Sequence, residues 1–82
     1  MPYYFFDLRD GDDLAVDEEG MELRDIQAAQ KEAARALADM ARDEVRRDAS
    51  IAGRRDMAVE VRDAGGAVLE VKFTFAINRH KQ

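Results

Sequence analysis

Apolar and polar side chains alternate along the first stretch of the chain, and this two-residue period is typical of a β-strand. Residues 3–9 read YYFFDLR, so Tyr4 and Phe6 share one face while Tyr3 and Phe5 share the other. Asp10-Gly11 is a turn signal, because glycine accepts the positive φ that tight hairpins require. Leu14 and Val16 resume the alternation. The pattern therefore predicts a first hairpin over residues 3–17, with Leu14 and Val16 facing the core.

The period changes at Asp25, whose carboxylate is well suited to cap the first turn of a helix. One apolar stripe follows at helical spacing, and its members are Ile26, Ala29, Ala33, Leu37, Met40, Ala41 and Val45. Seven alanines between positions 28 and 41 favour helix and leave a thin surface that can lie close to a sheet. Gly53 is a natural stop signal. We predict one helix over residues 25–52.

A second alternating segment follows the helix and contains the most regular strand pattern of the chain. Met57, Val59 and Val61 face one way, the run 63–66 (DAGG) turns the chain, and the alternation resumes to Ile77. This predicts a second hairpin over residues 56–77. The polar residues 78–82 (NRHKQ) are expected to form a frayed tail.

Two hairpins bracketing one helix define an α+β domain over residues 1–82. The order ββαββ predicts a four-stranded, mainly antiparallel sheet with the long helix packed on one face. We expect the aromatic first strand and the long last strand to be the central pair of that sheet.

Composition narrows the classes of protein that fit this domain. Eighty-two residues suffice for one small core, and the absence of cysteine excludes disulfides and thiolate metal sites. No run is long and apolar enough for a membrane span, and the opening lacks a signal-peptide pattern, so we expect a cytoplasmic protein. Residues 1–25 carry a net charge of −7 and residues 26–82 carry +2, giving −5 in total. An acidic first third disfavours sequence-independent binding to nucleic acid.

Seven carboxylates between Asp10 and Glu22 raise the question of a metal site. Neither Gly11 nor Gly20 has acidic residues at the steps that a helix–loop–helix calcium site requires. The carboxylates form two clusters separated by a short strand of about 15 Å, too far for one ion. We expect solvated turns and no bound metal, with a weakly divalent-cation-responsive domain as a further alternative.

Catalytic residues are scarce. Ser50 and His80 are the only serine and histidine, and the glycines match no phosphate-binding loop. We expect no catalytic activity and no cofactor.

Over essentially its whole length, the chain also resembles a small bacterial family of uncharacterised domains. Its members open Met-Pro-x-Tyr-Phe-Phe, turn on Asp-Gly and carry Asp-Glu-x-Gly-x-Glu-Leu before a helix, as do MPYYFF, Asp10-Gly11 and DEEGMEL here. Two positions depart from the pattern: Asp7, where histidine is common, and Arg24, where proline or a small residue is common. The resemblance supports the fold and implies no site, because the family has no established activity.

The sheet face opposite the helix is the main functional hint. If the first and last strands are neighbours, its outward residues form a partly apolar patch, and the candidate interface residues are Tyr3, Phe5, Ala58, Val68 and Thr74. We therefore expect a non-catalytic interaction module that binds a protein partner or forms a homodimer. The alternative is a nucleic-acid-associated protein, and its candidate residues near the helix end are Arg46, Arg47, Arg54 and Arg55.

Overall fold

One long helix lies on an antiparallel sheet in the computed structural model, which describes residues 1–48, 53–78 and 80. The elements in chain order are β1 (Tyr3–Asp10), β2 (Asp13–Ala15), β3 (Met21–Glu22), α1 (Ile26–Asp48), β4 (Gly53–Asp63) and β5 (Gly66–Ile77). The predicted α+β class is confirmed, with one hairpin before the helix in the chain and one after it. The two-residue strand β3 is an addition that the hydrophobic pattern did not indicate.

The strand order of the sheet is β2-β1-β4-β5, and β3 also pairs with β1. All of these pairs are antiparallel. The expectation that the first and last strands are neighbours is wrong, because β4 lies between β1 and β5. Alternation of apolar residues reports that one face of a strand is buried, and it does not distinguish a central strand from an edge strand.

The first hairpin turns where it was predicted, with Gly11 at a φ of +62°. Its return strand β2 has only three residues, and Leu14 and Val16 are exposed rather than packed in the core. That part of the prediction is wrong. The helix packs on β4 and β5, so it does not cover the β2 side of the sheet.

Asp25 caps the helix as predicted, because its Oδ1 accepts a hydrogen bond from the backbone N–H of Ala28 at 2.9 Å. Helical spacing brings four small or apolar side chains onto the sheet: Ala29, Ala33, Leu37 and Ala41. Ile26, which was expected to join them, is exposed at the first turn. The predicted last turn, residues 49–52, lies outside the described residues.

The core is formed between the helix and the inward side chains of the central strands. Tyr4 of β1 and Met57, Val59 and Val61 of β4 are buried. The second hairpin extends from residue 53 to residue 77, so it begins three residues earlier than predicted and ends where predicted. In its turn, Oδ1 of Asp63 accepts the N–H of Gly65 at 2.8 Å. In the predicted tail, Asn78 and His80 are exposed, and residues 79, 81 and 82 are outside the described part.

Candidate interaction surface

The sheet face away from the helix carries alternating charges and is not an apolar patch. Each cross-strand row joins one residue of β1, one of β4 and one of β5. The rows are Phe5–Arg62–Ala67, Asp7–Glu60–Glu70 and Arg9–Ala58–Lys72, followed by the two-strand row Asp56–Thr74. Three carboxylates therefore lie in one row, where their mutual repulsion would be destabilising. Cationic side chains in the two adjacent rows offset that repulsion.

The candidate interface residues are divided between separate parts of this face. Tyr3 is 51% exposed, Phe5 is half-buried, and Ala58 is buried in the middle of the charged rows. Val68 lies at an irregularity in the β4–β5 pairing, and Thr74 is about 20 Å along the sheet from the row of Phe5. Because β4 separates β1 from β5, these five residues do not form one surface.

Phe5 is covered from within the same chain. The guanidinium of Arg62 lies 4.6 Å from the centre of its ring, which is cation–π geometry. On another side, the backbone of Gly20 lies against both aromatic rings: a Cβ added there would approach Phe5 Cε2 at 2.8 Å and Tyr3 Cδ2 at 2.9 Å. The acidic loop therefore folds back onto the aromatic end of β1, and Tyr3 is the more accessible of the two rings.

Beside Phe5, Arg62 also donates a hydrogen bond to the buried carboxylate of Asp7. Asp7 is only 8% exposed and accepts hydrogen bonds from Arg62 Nε at 3.0 Å and from the backbone N–H of Asp17 at 2.9 Å. Nη2 of Arg62 also donates to the backbone carbonyl of Asp17 at 2.8 Å. Asp17, one of the seven carboxylates from Asp10 to Glu22 that were expected to be solvated, is itself partly buried.

Asp17 organises the loop that precedes β3. Its carboxylate accepts the backbone N–H groups of Phe6, Glu19 and Gly20 at 3.0 to 3.1 Å. Partial burial raises the pKa of Asp17, but these hydrogen bonds and the charge of Arg62 outweigh it and hold the pKa below its ordinary value. The bond to Phe6 also satisfies a backbone donor at the outer edge of β1.

A shallow groove of about 430 Å³ follows the opposite end of the charged face. Arg9 lines this groove, and its Nε donates to Glu60 at 2.7 Å; this hydrogen bond raises the pKa of Arg9. Asp56 also lines it and accepts a hydrogen bond from Thr74 at 2.9 Å. That bond, with help from Arg54, lowers the pKa of Asp56. The charges lining the groove are balanced against one another.

The helix-end arginines lie beside carboxylates. Glu44, only 2% exposed, accepts hydrogen bonds from Arg47 at 2.9 and 3.2 Å and lies 3.6 Å from Arg55 Nη1. The same Nη1 lies 3.7 Å from Asp10 of β1. Arg54 pairs with Asp56, and Arg46 is exposed in the last helical turn. This arrangement couples the helix end to the sheet and does not gather the arginines into a separate basic patch.

The two outer edges of the sheet differ. Along the outer edge of β1, β2 pairs with Leu8–Asp10, Asp17 binds Phe6, and β3 pairs with Tyr3 and Tyr4. β5 is twelve residues long and, within the described residues, pairs only with β4. Its helix-side residues are half-buried, and they are Leu69, Val71, Phe73, Phe75 and Ile77. Among the described residues, the outer edge of β5 therefore has no paired strand, and its helix-side apolar side chains are only partly covered.

Histidine and acidic residues are the possible metal ligands in the part of the chain that the structure describes. No group of three or more histidine, cysteine or acidic residues there has the geometry to hold a metal ion. His80 is exposed beyond β5, and Ser50 lies outside the described residues. None of the described helices is long and apolar enough to cross a membrane.

The sequence analysis missed the two buried carboxylates, Asp7 and Glu44, for different reasons. Glu44 continues the series Leu37–Ala41 at helical spacing, so periodicity alone could have placed it on the sheet side. Asp7 follows Tyr3 and Phe5 on the outward face by strand alternation, but its burial depends on Arg62 and on the loop around Asp17. No local signal indicates that contact.

Comparison with known proteins identifies the family and leaves its function open. No curated protein and no solved structure matches the chain. A family model described as a domain of unknown function, DUF6894, matches residues 3–74 and so spans every described element except the end of β5. The chain belongs to the DUF6894 family of domains of unknown function.

Proposed function

We propose that this domain is a non-catalytic protein-interaction module and that it binds its partner by adding a strand to the free edge of β5. Strand addition uses main-chain hydrogen bonds for affinity and alternate side chains for specificity. The observation that supports the proposal is the contrast between the two edges of the sheet: one is covered, and the other has no strand partner in the described part of the chain.

The covered edge shows how this chain protects a strand. Two short strands and the carboxylate of Asp17 occupy the outer side of β1 in succession, although each pairs with only a few residues. Exposed strand edges are commonly blunted by proline, bulges, inward-pointing charges or covering loops, because they attract other chains.

The edge of β5 has few of these devices. The strand contains no proline, and its single lysine, Lys72, points to the outward face, where it lies 3.7 Å from Glu70. The irregularity in its pairing is confined to the end near Val68, and its inward side chains from Leu69 to Ile77 are all apolar. A strand added here would cover the exposed parts of those side chains, and burial of apolar surface favours association.

The surface around Tyr3 is the competing location for an interaction module. Its most exposed aromatic ring is Tyr3, whereas Phe5 is covered by Arg62 and the Gly20 backbone. An interface there would bury one accessible ring beside a charged network. The β5 edge offers a longer and more apolar surface.

The test uses a synthetic peptide with the sequence of residues 66–77 as the added strand. We expect it to bind the wild-type protein and to protect the β5 amides from hydrogen exchange. Phe75→Lys places a charge on the apolar side of the edge and should abolish binding. Val16→Lys, which adds the same charge at an exposed apolar position on the opposite edge, should bind as the wild type does.

Tyr3→Ser locates the interaction independently. Unchanged peptide binding by Tyr3→Ser supports the β5 edge. Weaker binding by Tyr3→Ser together with normal binding by Phe75→Lys would overturn the proposal and place the interface on the open face.

A further inference from the structure

From the charge pattern of β5, we infer that its partner strand is β5 of a second copy, paired antiparallel about a twofold axis at Val71. This inference rests on the proposed function and adds the identity of the partner and the register of pairing. It follows from which side chains occupy each face of the strand.

Both faces of β5 constrain self-pairing. Glu70, Lys72 and Thr74 point away from the helix, and the alternate residues, including Val71 and Phe73, point towards it. A twofold axis perpendicular to the sheet keeps the two helices on the same side. Outward residues then face outward residues, and apolar residues face apolar ones. An axis lying in the sheet would instead place charged residues opposite apolar residues.

A perpendicular twofold axis can pass through different residues of β5, and each choice gives a different pairing register. The charged residues that then face each other distinguish these registers. With the axis at Val71, Glu70 of each copy faces Lys72 of the other. An axis at Lys72 places two lysines opposite each other, and an axis at Glu70 does the same with two glutamates. Like charges directly opposite are destabilising, whereas opposite charges stabilise a cross-strand pair.

The apolar face supports the same register. With the axis at Val71, the two Val71 side chains face each other, and Leu69 of each copy faces Phe73 of the other. An axis at Phe73 would also pair apolar residues, but it would face Lys72 with Thr74 and Glu70 with Ala76. Of these registers, only the one with the axis at Val71 places an opposite charge across from both Glu70 and Lys72.

The resulting assembly closes at two copies. The combined sheet would have the order β2-β1-β4-β5 in one copy, followed by β5-β4-β1-β2 in the second copy. Each outer edge of this sheet would then be the side of β1 that the short strands cover. An isologous pair uses the same surface of each subunit and leaves none of it free for a third copy. We therefore expect a dimer rather than a filament.

Charge exchange between copies tests the register. Glu70→Lys makes both charges of β5 positive, and Lys72→Glu makes both negative, so each variant alone places like charges opposite each other twice. We expect each to dimerise about tenfold more weakly than the wild type. An equimolar mixture restores both opposite pairs, and heterodimers should form with about wild-type affinity. With one variant labelled with ¹⁵N, native mass spectrometry resolves the three dimers, and sedimentation velocity gives the affinities of the single variants and of the mixture.

The mixture also separates this inference from other effects. Glu70 and Lys72 interact within one chain, but loss of that contact would weaken both variants without favouring the heterodimer. Circular dichroism checks that each variant is folded. A mixture that associates no better than the single variants overturns the Val71 register, and a monomeric wild type overturns the second copy as partner. In either case, binding of the residue 66–77 peptide at β5 would still support the proposed function, and its absence would refute that as well.

Discussion

Asp7 and Arg62 are 55 residues apart in the chain, yet Arg62 Nε donates a hydrogen bond to the Asp7 carboxylate at 3.0 Å. The pair joins neighbouring strands β1 and β4 diagonally across their outward face. Arg62 simultaneously covers Phe5 and binds the backbone carbonyl of Asp17. One guanidinium thus holds together the first strand, the fourth strand and the acidic loop.

Removing that guanidinium should destabilise the domain substantially. Arg62→Met keeps much of the side-chain volume but leaves the buried Asp7 carboxylate without its cation. We expect the free energy of unfolding to fall by about 2–3 kcal/mol, at or just below the usual range for a broken buried pair, because Arg62 is partly exposed. Urea denaturation measures the change. Arg42→Met, which breaks an exposed pair with Asp39, should change it by about 0.5 kcal/mol or less; equal losses in the two variants would contradict this account.

Alanine substitutions at Gly20 and Gly11 separate the cost of a steric collision from the cost of backbone strain. Both have positive φ, +74° and +62°, so alanine is strained at either position. At Gly11 an added Cβ meets nothing within 4 Å, whereas at Gly20 it collides with the rings of Phe5 and Tyr3. We expect Gly11→Ala to cost about 1–2 kcal/mol and Gly20→Ala to cost clearly more. Thermal denaturation of the two variants decides the matter, and a smaller loss at Gly20 would show that the loop does not pack on the aromatic rings.

The depressed pKa of Asp17 predicts a contribution to acid sensitivity. Its carboxyl binds protons less readily in the folded state than in the unfolded state, where the ordinary value is 3.8. The associated stability is present at neutral pH and is lost as the pH falls below that value towards the folded pKa. The stability difference between the wild type and Asp17→Asn should therefore be largest at neutral pH and shrink in acid.

Urea midpoints measured across that acid range provide the check. Asp56→Asn is a second test, because the pKa of Asp56 is also lowered, principally by its hydrogen bond from Thr74. Its difference from the wild type should also shrink as the pH falls into the acid range. A difference for Asp17→Asn that is constant with pH would remove the electrostatic role assigned to this carboxylate.

Glu44 should contribute more to stability than the acidic residues beside it on the helix. Its carboxylate is buried against Arg47 and Arg55, with the side chains of Met40 and Met57 nearby. Glu44→Ala leaves a cavity and separates the helix end from the cations of the sheet, so we expect a loss of about 2–4 kcal/mol. Asp39→Ala, at an exposed position of the same helix, should lose about 0.5 kcal/mol or less. Chemical denaturation measures the loss of stability in both variants. Equal losses would show that Glu44 contributes no more than an exposed carboxylate.

Local patterns predicted the elements well where the responsible residues are close in sequence. Asp25 caps the helix, Gly11 turns the first hairpin, and the alternation around Val59 marks a strand with one buried face. The same patterns failed for Leu14 and Val16, because alternation does not show how far a helix extends across a sheet. They also did not give the strand order, on which the grouping of the candidate interface residues into one surface depended.

The amino-acid sequence by itself determined the class of fold, the positions of the two hairpins and the helix, and the family. Capping, turn geometry and side-chain periodicity are set by neighbouring residues, so they can be recognised without knowing the partners of each strand. Only the tertiary structure decided that β4 separates β1 from β5, that Arg62 reaches Asp7, and that β5 lies at an edge of the sheet that the described residues form. Those relationships depend on strand order and register, which arise when distant segments compete to bury the same apolar surface and to satisfy the same backbone groups.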